Sequence, residues 1–142
     1  MVKVFSATID INATPEKVWQ ILTDAPSYPK WDPGMLRLEG KVAPGEKITA
    51  YTKVMPDRAF PVTVTTFEPG KRMVWESGMP LGLFKGVRTF TIDSLGGGKV
   101  RLTTREEFSG LLLPLIGRTL PDLNKTFQEF SAGLKRYAET GQ

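Results

Sequence analysis

The chain contains no cysteine and no histidine. These two absences remove disulfides, thiol nucleophiles, Cys-His and Ser-His catalytic arrangements and the usual zinc ligands. No metal site and no cofactor are expected. Long apolar runs are missing as well: the longest, Leu111 to Ile116, is interrupted by Pro114 and falls far short of the roughly 20 residues that a membrane-spanning helix requires. Stable membrane insertion is therefore not expected. Nor is there a run of five basic residues, because the 19 Lys and Arg are interleaved with 15 Asp and Glu to leave a net charge of +4. Such interleaving marks a solvated surface and argues against a nucleic-acid partner. The first residues run straight into an alternating pattern, without the basic and then apolar regions of a secretory signal, so a cytoplasmic location is expected.

What is present fits one globular domain spanning 1–142, long enough to bury about two-thirds of its unfolded surface. Hydrophobic residues make up 40% of the chain, too many for a disordered segment. From Lys3 to Asn12, the residues Phe5, Ala7, Ile9 and Ile11 alternate with Val4, Ser6, Thr8 and Asp10, the period of a half-buried strand. Thr14 then stands where a hydroxyl can cap free amides, and Pro15 where a helix needs no N–H, so a helix is predicted to begin there. Val18, Ile21, Leu22 and Ala25 form its apolar stripe, and Pro26, Pro29 and Pro33 prevent a long continuation. A second short helical turn or loop follows through Tyr28 and Trp31.

Between Met35 and Ser109, apolar segments are punctuated by turn residues at 40–45, 55–57, 69–70, 78–82 and 96–98. With no helical pattern between them, about six further strands are predicted, joined as an antiparallel meander. Leu123, Phe127, Phe130, Leu134 and Tyr137 then recur at steps of four and three, predicting a strongly amphipathic terminal helix. Pro121 is compatible with its first turn, and Leu111 to Leu120 reads as a separate helical segment or a kinked extension. The fold class is thus α+β, a curved seven-stranded antiparallel sheet around a long C-terminal helix with two short helices after the first strand.

The last hairpin carries the sharpest local argument. In its second strand Val100, Leu102, Thr104, Glu106 and Phe108 share the inward face, and in its first strand Arg88, Phe90 and Ile92 do. With Gly97 at the centre of the turn, Ile92 opposes Leu102, Phe90 opposes Thr104 and Arg88 opposes Glu106. Two opposite charges are then turned inward, where dehydration costs several kcal/mol unless they are paired. They form a structural pair, or a bulge turns one of them out to solvent, or they are the polar anchor of a small-molecule site, whose usual form is an apolar pocket with a few fixed polar groups.

Ala13-Thr14-Pro15-Glu16-Lys17-Val18-Trp19, Asp24, Trp31-Asp32-Pro33, Trp75, Gly86 with Phe90, Glu106-Glu107-Phe108-Ser109-Gly110, and Phe127 ahead of Leu134-Lys135 occur in this order along the chain. In that order the sequence resembles the START-like or helix-grip superfamily, in particular its SRPBCC group of polyketide cyclase/dehydrase-like proteins. The resemblance implies a sheet that grips the C-terminal helix, and a range of activities from lipid carriers and hormone receptors to cyclases, dehydratases, co-chaperones and oxygenase domains. Related sequences often carry histidine at the position of Arg88 and near Thr104. With neither present here, histidine-based acid-base catalysis is not transferable, and the missing cysteine-histidine iron motifs exclude the oxygenase activity.

The candidate ligand-binding residues are Trp75, Phe84, Arg88, Phe90, Glu106, Phe108, Phe127 and Phe130. Trp19, Trp31 and Trp75 are read as core or loop-clamping residues ahead of the alternative that they line a cavity, Phe84 with 79–83 as a turn or a pocket gate, and Leu111 to Ile116 as part of an apolar rim or a packing segment. The leading expectation is binding or transport of an apolar, lipid-like, aromatic or polyketide-like molecule by a monomer or homodimer. An enzyme of the cyclase or dehydratase type with Glu106 as acid or base is the alternative, and a protein-interaction or co-chaperone role is the third.

Overall fold

The computed structural model describes residues 2–53, 55–116 and 123–141. Strand β1 (Val2–Ile11) leads into helix α1 (Pro15–Leu22), whose start follows the sequence chemistry. The Thr14 hydroxyl accepts the Lys17 N–H at 3.2 Å and Pro15 occupies the first turn. A single turn of 3-10 helix and helix α2 (Tyr28–Trp31) follow, with prolines in both first turns. Then come β2 (Met35–Glu39), β3 (Lys47–Thr52), β4 (Ala59–Glu68), β5 (Arg72–Met79), β6 (Phe84–Gly96) and β7 (Lys99–Ser109). The short helix α3 (Leu113–Ile116) precedes the long helix α4 (Leu123–Thr140). The expectations placed on Pro121 and on residues 117–120 lie outside the described residues.

All seven strands form one antiparallel sheet in the order β1-β7-β6-β5-β4-β3-β2. It is a meander from β2 to β7, with β1 added beside β7. The β6–β7 register matches the sequence pattern: Ile92 lies opposite Leu102, Phe90 opposite Thr104 and Arg88 opposite Glu106. Gly96, Gly97 and Gly98 all adopt left-handed φ, between 64° and 81°. That conformation costs a side-chain-bearing residue roughly 1 kcal/mol or more, so the glycine triplet fixes where the turn falls and with it the register.

Helix α4 is seated in the sheet by its apolar stripe, where Phe127, Phe130, Leu134 and Ala138 are buried. Phe130 packs edge-on against Trp31 with centroids 5.0 Å apart, and Trp31 lies against Tyr28 at 4.5 Å. One turn further along, Gly133 lets the helix backbone come directly against the Trp31 carbonyl, where any Cβ would collide. The far end is tied to β1 by polar contacts. Lys135 Nζ donates to the Asp10 carbonyl at 2.8 Å and to the Glu139 carboxylate at 2.7 Å, and Glu139 accepts the Asn12 N–H at 2.7 Å. The interior divides into a large cluster around Tyr28, Trp31, Trp75, Phe90 and Phe130 and a smaller one of Phe5, Phe108, Leu113 and Phe127.

Candidate functional site

Between helix and sheet lies a cavity of about 320 Å³, at the small end of the range for ligand pockets, about 300–1,000 Å³. Its walls draw on both clusters: Met35, Trp75 and Phe130 from the larger, Phe108 and Phe127 from the smaller. Phe60 and Val62 of β4 and Phe84 of β6 extend the apolar lining. Phe84 and Phe108 stack at 5.7 Å with their planes 19° apart and line the cavity as an aromatic pair.

Arg88 stands within this lining, in register with Trp75 on β5 and Glu106 on β7. Its guanidinium carbon is 4.6 Å from the Phe130 ring centre, 4.9 Å from those of Phe90 and Phe127, and 5.8 Å from that of Trp75. Among the described residues no ion pair or hydrogen bond joins Arg88 to a carboxylate, and its Nε is buried without a partner. The charge is held by aromatic faces instead, each such contact worth about 0.5–2 kcal/mol. An unsatisfied buried donor costs about 1–3 kcal/mol, so the rings offset part of the cost of burying the guanidinium and leave its Nε–H unserved.

Two carboxyls share the cavity with this cation. Glu106 is half-buried, and burial pushes its carboxyl above the usual range while Arg88 pulls it part of the way back. Gly86 makes room for it: a Cβ there would lie 3.4 Å from Glu106 Oε1 and 3.2 Å from both the Phe108 ring and the Ser77 hydroxyl. Asp32 is buried at the end of α2, where its Oδ1 accepts the Gly34 N–H at 3.0 Å. Burial also raises the Asp32 carboxyl, against the pull of Arg88 and of that backbone bond.

Seven of the eight candidate residues, Trp75, Phe84, Arg88, Glu106, Phe108, Phe127 and Phe130, line the cavity together. Phe90 does not, and its assignment as a lining residue is corrected. It is fully buried behind the lining, 4.8 Å from Trp75, 5.9 Å from Phe130 and 4.9 Å from the guanidinium carbon of Arg88. Trp31 is likewise core, and Trp19 packs against Phe67 at 5.0 Å. Asp32, Ser77 and Thr126 line the cavity without having been singled out as site residues, as does Arg58 at an exposed position. For Asp32 a signal existed in Trp31-Asp32-Pro33-Gly34, since an Asp two residues before Gly favours the side-chain-to-backbone turn observed.

The turn after β5 carries Leu81 at φ 62°, almost wholly exposed. It is tied to the leucine segment by Leu111 N–H to the Gly82 carbonyl at 3.1 Å and Leu112 N–H to the Leu83 carbonyl at 2.8 Å. Leu113 packs into the small cluster, whereas Leu111 and Leu115 face solvent. Among the described residues there is no group of three or more metal-ligating side chains, and no helix long and apolar enough to cross a membrane.

Comparison with known structures shows the same architecture elsewhere. A START superfamily protein from Mycobacterium smegmatis superposes with a TM-score of 0.75 at 16% identity, covering 98% of this chain and 99% of that one. The Zhui aromatase/cyclase from Streptomyces sp. R1128 gives 0.73 at 10% identity, covering 99% and 98%. Truncated norcoclaurine synthase from Thalictrum flavum gives 0.73 at 11% identity, covering 100% and 96%. At these identities the likeness is one of fold. No curated protein sequence matches the chain significantly. The sequence model described as polyketide cyclase / dehydrase and lipid transport matches residues 2–139. With the curved sheet gripping α4 and the cavity between them, this match means that the chain belongs to the polyketide cyclase / dehydrase and lipid transport family.

Proposed function

We propose that the protein binds a hydrophobic small molecule in the cavity between the sheet and α4. One observation carries the reading: seven candidate residues from four elements line a single aromatic-walled space that holds a cation with no ion-pair partner among the described residues. A core built only for stability would fill such a space, since voids cost on the order of 24 cal/mol per Å³. Native mass spectrometry of the protein as purified, followed by denaturing extraction, tests the proposal. A stoichiometric apolar molecule, or a raised melting temperature with a panel of fatty acids, sterols and aromatics, is the expected result. Failure of both, with Ala50→Phe no different from the parent, overturns it.

A second reading is favoured by Glu106. Its carboxyl reaches the cavity and is biased towards the protonated form, as a general acid requires. In an enzyme of the cyclase or dehydratase type, Glu106→Gln abolishes turnover of the recovered ligand and leaves its binding largely intact.

A further inference from the structure

The chemistry around Arg88 narrows the ligand class; the argument rests on the cavity-binding proposal above. A guanidinium is planar, with five N–H donors in its plane and none on its faces. The rings of Phe127, Phe130, Phe90 and Trp75 surround it as cation–π partners, yet a ring face offers no substitute for a hydrogen-bond acceptor. Nε is covered and without a partner, which leaves the two terminal nitrogens as the donors open to the cavity. Their end-on spacing matches the two oxygens of a carboxylate.

Charge balance points the same way. Asp32 and Glu106 are the carboxyls that share the cavity with Arg88, and neither is bonded to it. Both are pushed towards their neutral forms by burial. Tyr28, on the helical side, is fully buried with its hydroxyl committed to the Leu22 carbonyl at 2.6 Å, and Arg58, the other cation in the lining, stands at an exposed position. Among the described residues the Arg88 guanidinium thus has no hydrogen-bonded counter-ion, inside walls of low polarity where Coulomb attraction is strong. Glu106 stands opposite Arg88 in the ladder, beside the same acceptor position.

We propose that the cavity takes a compact hydrophobic acid as its anion, the carboxylate seated end-on against Arg88 and the ring or chain lying along the Phe84–Phe108 wall.

The test is isothermal titration of the full chain at neutral pH with 2-naphthoate and with 2-naphthamide, which is isosteric and uncharged. The expected result is at least about tenfold tighter binding of the naphthoate. In Arg88→Met the ratio of naphthoate to naphthamide affinity falls to about one; Arg88→Lys retains part of the preference. Equal or tighter binding of the amide by the parent overturns the proposal and leaves the cavity reading standing, as does absence of naphthoate binding by a protein that binds neutral apolar molecules. If no member of either set binds, both readings fall. Should Arg88→Met lose its cooperative unfolding transition, the parent's own amide-to-acid ratio and the Arg88→Lys titration decide the matter.

Discussion

Arg88 and Glu106 stand directly opposite each other in the β6–β7 ladder and form no ion pair. Closeness in register brings both charges to one cavity, but the guanidinium is turned into a ring of aromatic side chains and the carboxyl lies over Gly86. The two groups are held apart and feel one another only through their fields.

A raised carboxyl has a definite consequence for stability against pH. Glu106 holds its proton more tightly folded than unfolded, so the folded state binds more protons between the ordinary glutamate value of about 4.3 and its raised value. Stability from this site is present below that window and is lost as pH rises through it. Glu106→Gln mimics the protonated form and removes the loss. Its melting temperature is expected to exceed the parent's by about 2–5 °C at pH 8 and to match it at pH 4, which thermal scans at the two pH values read directly. A Gln variant less stable at both would contradict this assignment.

Removing the cation acts on Glu106 in the opposite sense to adding one. Arg88 is what pulls the Glu106 carboxyl down, so in Arg88→Met the carboxyl titrates at still higher pH. The variant itself is expected to unfold at or above the parent's denaturant midpoint, because a flexible apolar side chain fills the ring of aromatics without an unserved donor. Side-chain carboxyl NMR of Glu106 gives the first quantity and urea unfolding the second.

Phe130 joins the core and the site, touching Trp31, Phe90 and Arg88. Truncation to alanine is expected to cost about 3–5 kcal/mol by urea unfolding. A loss under about 1 kcal/mol would mean that α4 is seated by other contacts.

Gly133 reverses a familiar rule. Alanine in place of glycine within a helix normally gains about 1 kcal/mol, but here the new methyl meets the Trp31 carbonyl, which belongs to the backbone and cannot swing away. Gly133→Ala is expected to destabilise by about 1–3 kcal/mol. The neighbouring Ala132, exposed on the same helix, serves as the control: Ala132→Gly should lose about 1 kcal/mol. A gain for Gly133→Ala would show that the helix stands further from Trp31.

These particulars also show what a one-dimensional pattern conveys. Alternation in β6 and β7 told which side of the sheet Arg88, Phe90 and Glu106 occupy, because side-chain direction repeats every two residues and the three glycines set the register. It did not tell how deep along the strand each lies. Phe90 shares a face with Arg88 and yet sits behind Trp75 and Phe130, a position decided by α4. The helix periodicity likewise gave Phe127 and Phe130, whereas burial of Asp32 depends on a turn closed by Gly34 and covered from elsewhere in the chain. The ring of aromatics around Arg88 comes from β5, β6 and α4 together, and no local spacing encodes a contact among three elements.

The placement of β1 beside β7 bears on when the binding site comes into being. Partners across that ladder are distant in the chain; Asp10 and Arg101, which meet through a two-pronged hydrogen bond, are 91 positions apart. Closing so long a loop is entropically costly, and folds governed by such pairings fold in milliseconds to seconds rather than microseconds. During synthesis the first strand has no neighbour until β7 has emerged, and Glu106, Phe108, Phe127 and Phe130 arrive with or after that last strand. The pocket is therefore the final product of folding, and a bound molecule can stabilise only a chain already made to its last helix.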